Sequence, residues 1–230
     1  MRIHIIGQPR SGTTYIFNVV RQYHANQQDI DFGNEPFNSH LRNSNKFRSH
    51  LTSIVDTSTC VIKNHTTHLD YMKQHNLFNE FCKAMDYTLC IVRKNLFDLT
   101  LSMCVSINKD QWYKYNQNPI EIETELFEHF YSGFYWNTVK LKDGVYGNFD
   151  QIIYYENLIR TPRLDWSNLN ICNTDPMALI NFESQTSISP AKEKMVSNYN
   201  ELLDFCSQLQ NSSKYDGGLI IKDNILQDIV

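Results

Sequence analysis

Hydrophobic positions at the start of the chain fall in a pattern that breaks sharply. Ile3, Ile5 and Ile6 form a β-branched run that ends at Gly7, Pro9 and Gly12. A short apolar run closed by turn residues predicts a buried strand followed by a tight turn. From Thr13 the period changes, with Ile16, Phe17, Val20 and Tyr23 recurring three and four apart, which predicts a helix. Further strands are predicted at Cys60–Lys63, at Tyr87–Val92 and at Gln151–Tyr155, with a short edge strand at Leu169–Cys172. The Tyr87–Val92 run is nearly all apolar, as a central parallel strand would be. Helices are predicted at Tyr71–Met85, at Leu96–Ile107 behind an Asn95 cap, at about Ile120–Leu141 up to the Asp143-Gly144 stop, and at Lys192–Leu209. The polar stretches Gln27–Asn34 and Asn38–Ser49 read as irregular surface segments.

Strands that alternate with helices imply an α/β fold: three layers, a central mostly parallel sheet flanked by helices, in one domain spanning residues 1–230. In such sheets ligands bind beyond the carboxyl ends of the strands. Gly7–Thr14, Lys63–His65 and Arg93–Asn95 all fall at such ends, and each carries a cationic or titratable nitrogen side chain. The predicted helix after Asn95 is apolar at almost every position, and the exceptions on one face are Asp98, Ser102 and Ser106, spaced four apart. A polar stripe on a buried helix needs partners, from the protein or from a ligand.

Composition narrows the partners. The 230 residues are 41% hydrophobic and 20% charged, within the range of globular domains. The net charge of −4 and pI of about 6.0 supply no global field to draw nucleic acid or an acidic membrane, so an anionic ligand must be held by local geometry. Met1 leads straight into the first strand with no basic-then-apolar leader, and no apolar run reaches the length of a membrane span, so the expected location is the cytoplasm. The six cysteines form no C-x-x-C pair and read as reduced core thiols. No compact group of His, Cys and carboxylate residues calls for a metal. Oligomeric state is not legible.

The first turn has the chemistry of an anion cradle. A helix beginning near Gly12 directs its first amides and the positive end of its dipole into the turn. Gly7 and Gly12 match the glycine spacing of the phosphate-loop pattern G-x-x-x-x-G-K-[ST]. The lysine position holds Thr13, and the cation sits inside the turn as Arg10, whose planar fork suits two oxygens of one oxyanion. The string Pro9-Arg10-Ser11-Gly12-Thr13-Thr14 resembles the 5′-phosphosulfate loop of sulfotransferases, which use 3′-phosphoadenosine 5′-phosphosulfate (PAPS) and release the bisphosphate PAP. The resemblance implies a P-loop-containing nucleotide-binding fold, with Arg10, Ser11, Gly12, Thr13 and Thr14 on the cofactor and Tyr15 beside the base.

Two further stretches carry the same resemblance, in family order. Arg93-Lys94-Asn95-Leu96, with Ser102 nine residues after Arg93, is similar to the 3′-phosphate motif, closest in form to bacterial and carbohydrate-type members. It implies that Arg93, in preference to Lys94, and Ser102 hold the 3′-phosphate. Tyr154-Tyr155-Glu156-Asn157-Leu158 is similar to the Y-E-D-L segment and implies that Tyr155 flanks the adenine. Two candidate bases compete. Lys63-Asn64-His65 resembles the K-T-H segment, in which the histidine is the base and the lysine assists the leaving group, whereas Asn34-Glu35-Pro36-Phe37 resembles the glutamate loop of bacterial members. Histidine is the more natural type of base at neutral pH, which favours His65, and the form of the Arg93 motif favours Glu35. Near the C-terminus, Lys192 and Lys194 fall in a lysine-containing segment similar to one in some bacterial members, where it lies near the cofactor phosphates.

The implied activity is sulfuryl transfer to a hydroxyl acceptor: a carbohydrate, a lipid-linked glycan or a small alcohol. No metal is required, since Arg10, the loop amides and neighbouring lysines can carry the charge. Two other classes stay open, a phosphotransferase such as a small kinase and a non-catalytic nucleotide-binding protein. Thr13 in place of the loop lysine argues against the kinase, as do strand ends bearing Lys63 and Arg93 where a magnesium site would use aspartate.

Overall fold

The computed structural model describes residues 2–24, 31–34, 44–56, 60–108, 118–160, 192–222 and 224–227. The chain divides into two compact units, Met1–Val92 with Tyr146–Thr186, and Arg93–Val145 with Ser187–Val230.

The first unit is built on a five-stranded sheet. Its strands are β1 (Arg2–Gly7), β2 (Asp31–Asn34), β3 (Cys60–His65), β4 (Tyr87–Val92) and β5 (Gln151–Tyr154), in the order β2-β3-β1-β4-β5. Every pairing is parallel, so all five carboxyl ends lie along one edge. The helices of this unit are α1 (Thr13–His24), α2 (Ser44–Asp56), α3 (Thr66–Gln74), α4 (Phe78–Ala84) and α7 (Tyr155–Arg160). Strand alternation divides the burial. Ile3 and Ile5 of β1 pack with Val61, Leu89, Ile91, Ile153 and the Ile16, Phe17 and Val20 stripe of α1. His4 faces the opposite way and meets the edge of the Phe81 ring of α4, with centroids 4.8 Å apart. Helices therefore cover both faces, which is why the central strands are apolar on both.

Several elements differ from their sequence reading. The polar segment beyond Asn38 contains α2, whose inner side buries Leu51 and Ile54, three apart. The predicted helix at Tyr71–Met85 is two helices: Asn76 adopts a left-handed conformation (φ 58°) that ends α3, and α4 starts after Leu77. β2 pairs with β3 although its short sequence, Asp-Phe-Gly-Asn, carries little strand signal. Tyr155 begins α7 and does not end β5. The expected strand at Leu169–Cys172 lies outside the described residues.

The second unit contains α5 (Leu96–Asn108), α6 (Thr124–Lys142), α8 (Tyr199–Gln210) and an antiparallel hairpin of β6 (Ile221–Lys222) and β7 (Ile225–Leu226). The expected helix from Lys192 is a short 3₁₀ turn at Lys192–Lys194, with α8 starting only at Tyr199. Between them Val196 bridges Ile120, and the Asn198 amide holds the backbone of Ile122, accepting from its N–H at 3.1 Å and donating to its carbonyl at 2.9 Å. Met195 and Val196 are buried, so this connection is fixed in place. The hairpin closes on the start of α5, where the Leu226 N–H donates to the Lys94 carbonyl at 3.0 Å.

Among the described residues, no helix is long and apolar enough to cross a membrane. Cys60, Cys82, Cys90, Cys104 and Cys206 are free thiols. Burial pushes Cys104 and Cys206 up to about 12 and raises Cys90 further, which keeps these thiols protonated and inert.

Candidate functional site

The loop between β1 and α1 is shaped by its two glycines and by one strained residue. A Cβ on Gly7 would lie 2.6 Å from the Ile91 carbonyl oxygen, from Ser11 Oγ and from Thr13 Cγ2. The backbone oxygen cannot move aside, so only glycine fits as β1 leaves the sheet. The turn closes through Gln8, whose carbonyl accepts from the Ser11 N–H at 3.2 Å and from Ser11 Oγ at 2.7 Å. Arg10, inside this turn, has φ 67°, a left-handed conformation that is rare for a side chain of its size. Strain of this kind collects at ligand-binding positions. Gly12 follows with φ 91°, and the Ile16 N–H donates to its carbonyl at 3.2 Å as α1 begins. The first-turn amides of α1, ahead of the helical ladder, open onto this loop.

β3 brings its carboxyl end to the same loop. Its register with β1 sets Lys63 beside Ile5 and His65 beside Gly7. Lys63 is 2% exposed, and its ammonium donates to Thr14 Oγ1 at 2.8 Å. A buried cation of this kind is stable only with hydrogen-bond partners, and here one is a hydroxyl of the first turn of α1. His65 Nδ1 lies 3.4 Å from the Gly7 carbonyl oxygen. The His65 N–H donates to His68 Nδ1 at 3.2 Å, in a reciprocal cap at the start of α3 that fixes the backbone of His65. Arg10, Ser11, Gly12, Thr13, Thr14, Lys63 and His65 thus meet at one loop.

Tyr155 joins them from the start of α7, directly after β5. Its ring rests on Gly12, where a Cβ would meet Cδ2 at 2.6 Å. Tyr15 and Tyr155 both pack against the apolar cluster of the sheet, and burial pushes the Tyr15 hydroxyl up to about 12. Both rings therefore have a packing role whatever they bind. Glu35 lies outside the described residues; its predecessor Asn34 is the last residue of β2 and pairs with Lys63.

In the second unit, Arg93 and Lys94 part company. Lys94 Nζ donates to the Gln227 carbonyl at 3.3 Å, while the Arg93 guanidinium forms an ion pair with Asp98 in the first turn of α5. Lys192 closes on the same carboxylate through its other oxygen and donates to the Asp98 carbonyl at 2.6 Å. Ser102, one turn beyond Asp98, is nearly buried. The stripe read from the sequence thus finds protein partners: Asp98 takes two cations, and Ser106 Oγ donates to the Met103 carbonyl at 2.8 Å. The joining of Arg93 to Lys192 through Asp98 leaves no trace in local sequence, because the lysine comes from 94 positions further along the chain. Among the described residues no group of three or more His, Cys, Asp or Glu is arranged to hold a metal ion.

Comparison with protein-family models gives no match to this chain, and comparison with curated proteins gives none either.

Proposed function

We propose that the protein is a PAPS-dependent sulfotransferase with a P-loop-type, three-layer fold, acting on a hydroxyl acceptor. The observation that carries this reading is the meeting of Lys63 and His65 with the Gly7–Thr14 loop. Lys63 reaches Thr14 Oγ1, and His65 reaches the Gly7 carbonyl. Three segments that resemble sulfotransferase motifs supply residues to this one loop: Pro9–Thr14, Lys63–His65 and Tyr155.

Sulfuryl transfer asks for three things. The 5′-phosphosulfate needs cations and amides, which Arg10 and the first turn of α1 supply. As the acceptor oxygen bonds to sulfur and the S–O bond to the phosphate breaks, charge grows on the bridging oxygen, and the Lys63 ammonium is the cation suited to it. The acceptor hydroxyl loses its proton to a base, Glu35 or His65. No step requires a metal. The 3′-phosphate is assigned to Arg93 and Ser102 and the adenine side to Tyr155, with Tyr15 beside the base, on the strength of the motifs.

The test is transfer of labelled sulfate from PAPS to a panel of sugar, lipid-glycan and small-alcohol hydroxyls, with Arg10→Ala as control. Transfer by the wild type and none by the variant is the expected result. If the protein instead moves the γ-phosphoryl group of ATP in the presence of magnesium, the phosphotransferase reading replaces this one.

A further inference from the structure

The Arg93–Asp98–Lys192 cluster joins the first turn of α5 to the turn at Lys192. Two cations share one carboxylate, each on a different oxygen. The cations are the buried members: the Arg93 and Lys192 side chains are 9% and 12% exposed, against 32% for Asp98. The carboxylate is therefore the group best able to turn into water while the cations stay.

The Lys192 turn is held independently of the carboxylate. The Lys192 carbonyl accepts from the Met195 and Val196 amides at 2.9 and 3.0 Å, and the Val196 bridge to Ile120 pins that turn. The backbone of residue 98 is held independently of its side chain, because its N–H donates to Asn95 Oδ1 at 2.8 Å. The carboxylate can thus leave without unwinding the start of α5. A phosphoryl group carries up to twice the charge of a carboxylate and three acceptor oxygens, which matches two cations better than Asp98 does.

We infer that Asp98 is a built-in competitor that occupies the phosphoryl position between Arg93 and Lys192 and lowers the affinity of that position for its ligand. Lys192 is accordingly the second cation of the site, and Asp98 sets how readily a phosphorylated product leaves. This rests on the reading that Arg93 serves the 3′-phosphate of PAP.

Calorimetry with PAP, AMP and inorganic phosphate tests it on the full chain, with circular dichroism to check the fold. Asp98→Asn keeps the shape of the side chain and removes its charge. Loss of one competing charge-assisted contact should tighten PAP and inorganic phosphate by about tenfold. AMP, which lacks the 3′-phosphate, should be unchanged. Unchanged or weaker binding of PAP and phosphate by a folded Asp98→Asn protein overturns the inference, since Asp98 would then position Arg93 and not compete for it. Should that variant not fold, Lys192→Gln decides: weakening of PAP and phosphate with AMP unaffected supports the site, and unchanged binding of all three overturns it. If wild-type protein binds PAP and AMP alike, the 3′-phosphate reading is what fails, and the inorganic phosphate series still decides the role of Asp98.

Discussion

Replacing Gly12 by alanine tests the geometry of the loop through two separable costs. The backbone there has φ 91°, and an added Cβ lies 2.6 Å from Tyr155 Cδ2 and 3.1 Å from Cε2. Left-handed backbone costs a non-glycine residue about 1–2 kcal/mol. Forcing a methyl group into a packed ring adds about 1–3 kcal/mol, and the clash cannot relax fully because Tyr155 is packed against the sheet cluster. Gly12→Ala should therefore destabilise the protein by about 2–5 kcal/mol, read from urea unfolding by circular dichroism. A double-mutant cycle separates the costs. In a Tyr155→Ala background the ring is gone, and the Gly12→Ala penalty should fall to the backbone cost of about 1–2 kcal/mol. Equal penalties in both backgrounds would refute the contact between Tyr155 and the loop, and no penalty in either would refute the left-handed conformation of Gly12.

The remaining predictions concern ligands, chemistry and pH. Arg10→Ala should weaken PAP binding by roughly 1.5–3 kcal/mol, the scale of a hydrogen bond to a charged group, and unchanged binding by calorimetry would remove Arg10 from the site. Arg93→Ala should erase any preference for PAP over AMP, and a preference that survives would move the 3′-phosphate elsewhere. Of Glu35→Gln and His65→Gln, the one that removes the base should lower turnover by about 10²–10⁴ while PAP binding holds, and if neither does so the base is another group. His4, buried against Phe81 and beside Asn64 and His68, has its pKa pulled down from 6.5 to about 3 by burial, with His68 acting in the same sense. The unfolded chain protonates near pH 6.5 and the folded one only near 3, so the stabilisation present above pH 6.5 is lost as the pH falls through that window. His4→Leu should flatten the acid slope of stability by up to about 1.4 kcal/mol per pH unit, and an unchanged slope between pH 6 and 4 would contradict the burial of a neutral imidazole.

Legibility followed the strength of local pattern. β1, β4 and α5 were readable because their apolar runs are long and end in turn or cap residues. β2 was not, because a four-residue edge strand draws its stability from pairing with β3, which leaves no periodic trace. α2 begins in a polar stretch with no long apolar run to announce it. The break between α3 and α4 depends on one left-handed asparagine, a conformation that sequence allows and does not require. At the site, the Gly7 and Gly12 spacing announced the loop, and strand order placed Lys63 and His65 at its edge. The Lys63 contact with Thr14 and the union of Arg93, Asp98 and Lys192 were beyond reach, since they join residues 49 and 94 positions apart through tertiary packing.

The central claim is that the loop at Gly7–Thr14 serves a nucleotide bearing both a 5′ and a 3′ anion. Calorimetric titration of the wild-type protein with PAP, AMP and ATP in magnesium-free buffer tests it without knowledge of the acceptor. PAP should bind at least about tenfold more tightly than AMP or ATP, the increment expected from one additional charge-assisted phosphate contact. Equal binding of PAP and AMP, or a preference for ATP that grows when magnesium is added, would contradict it.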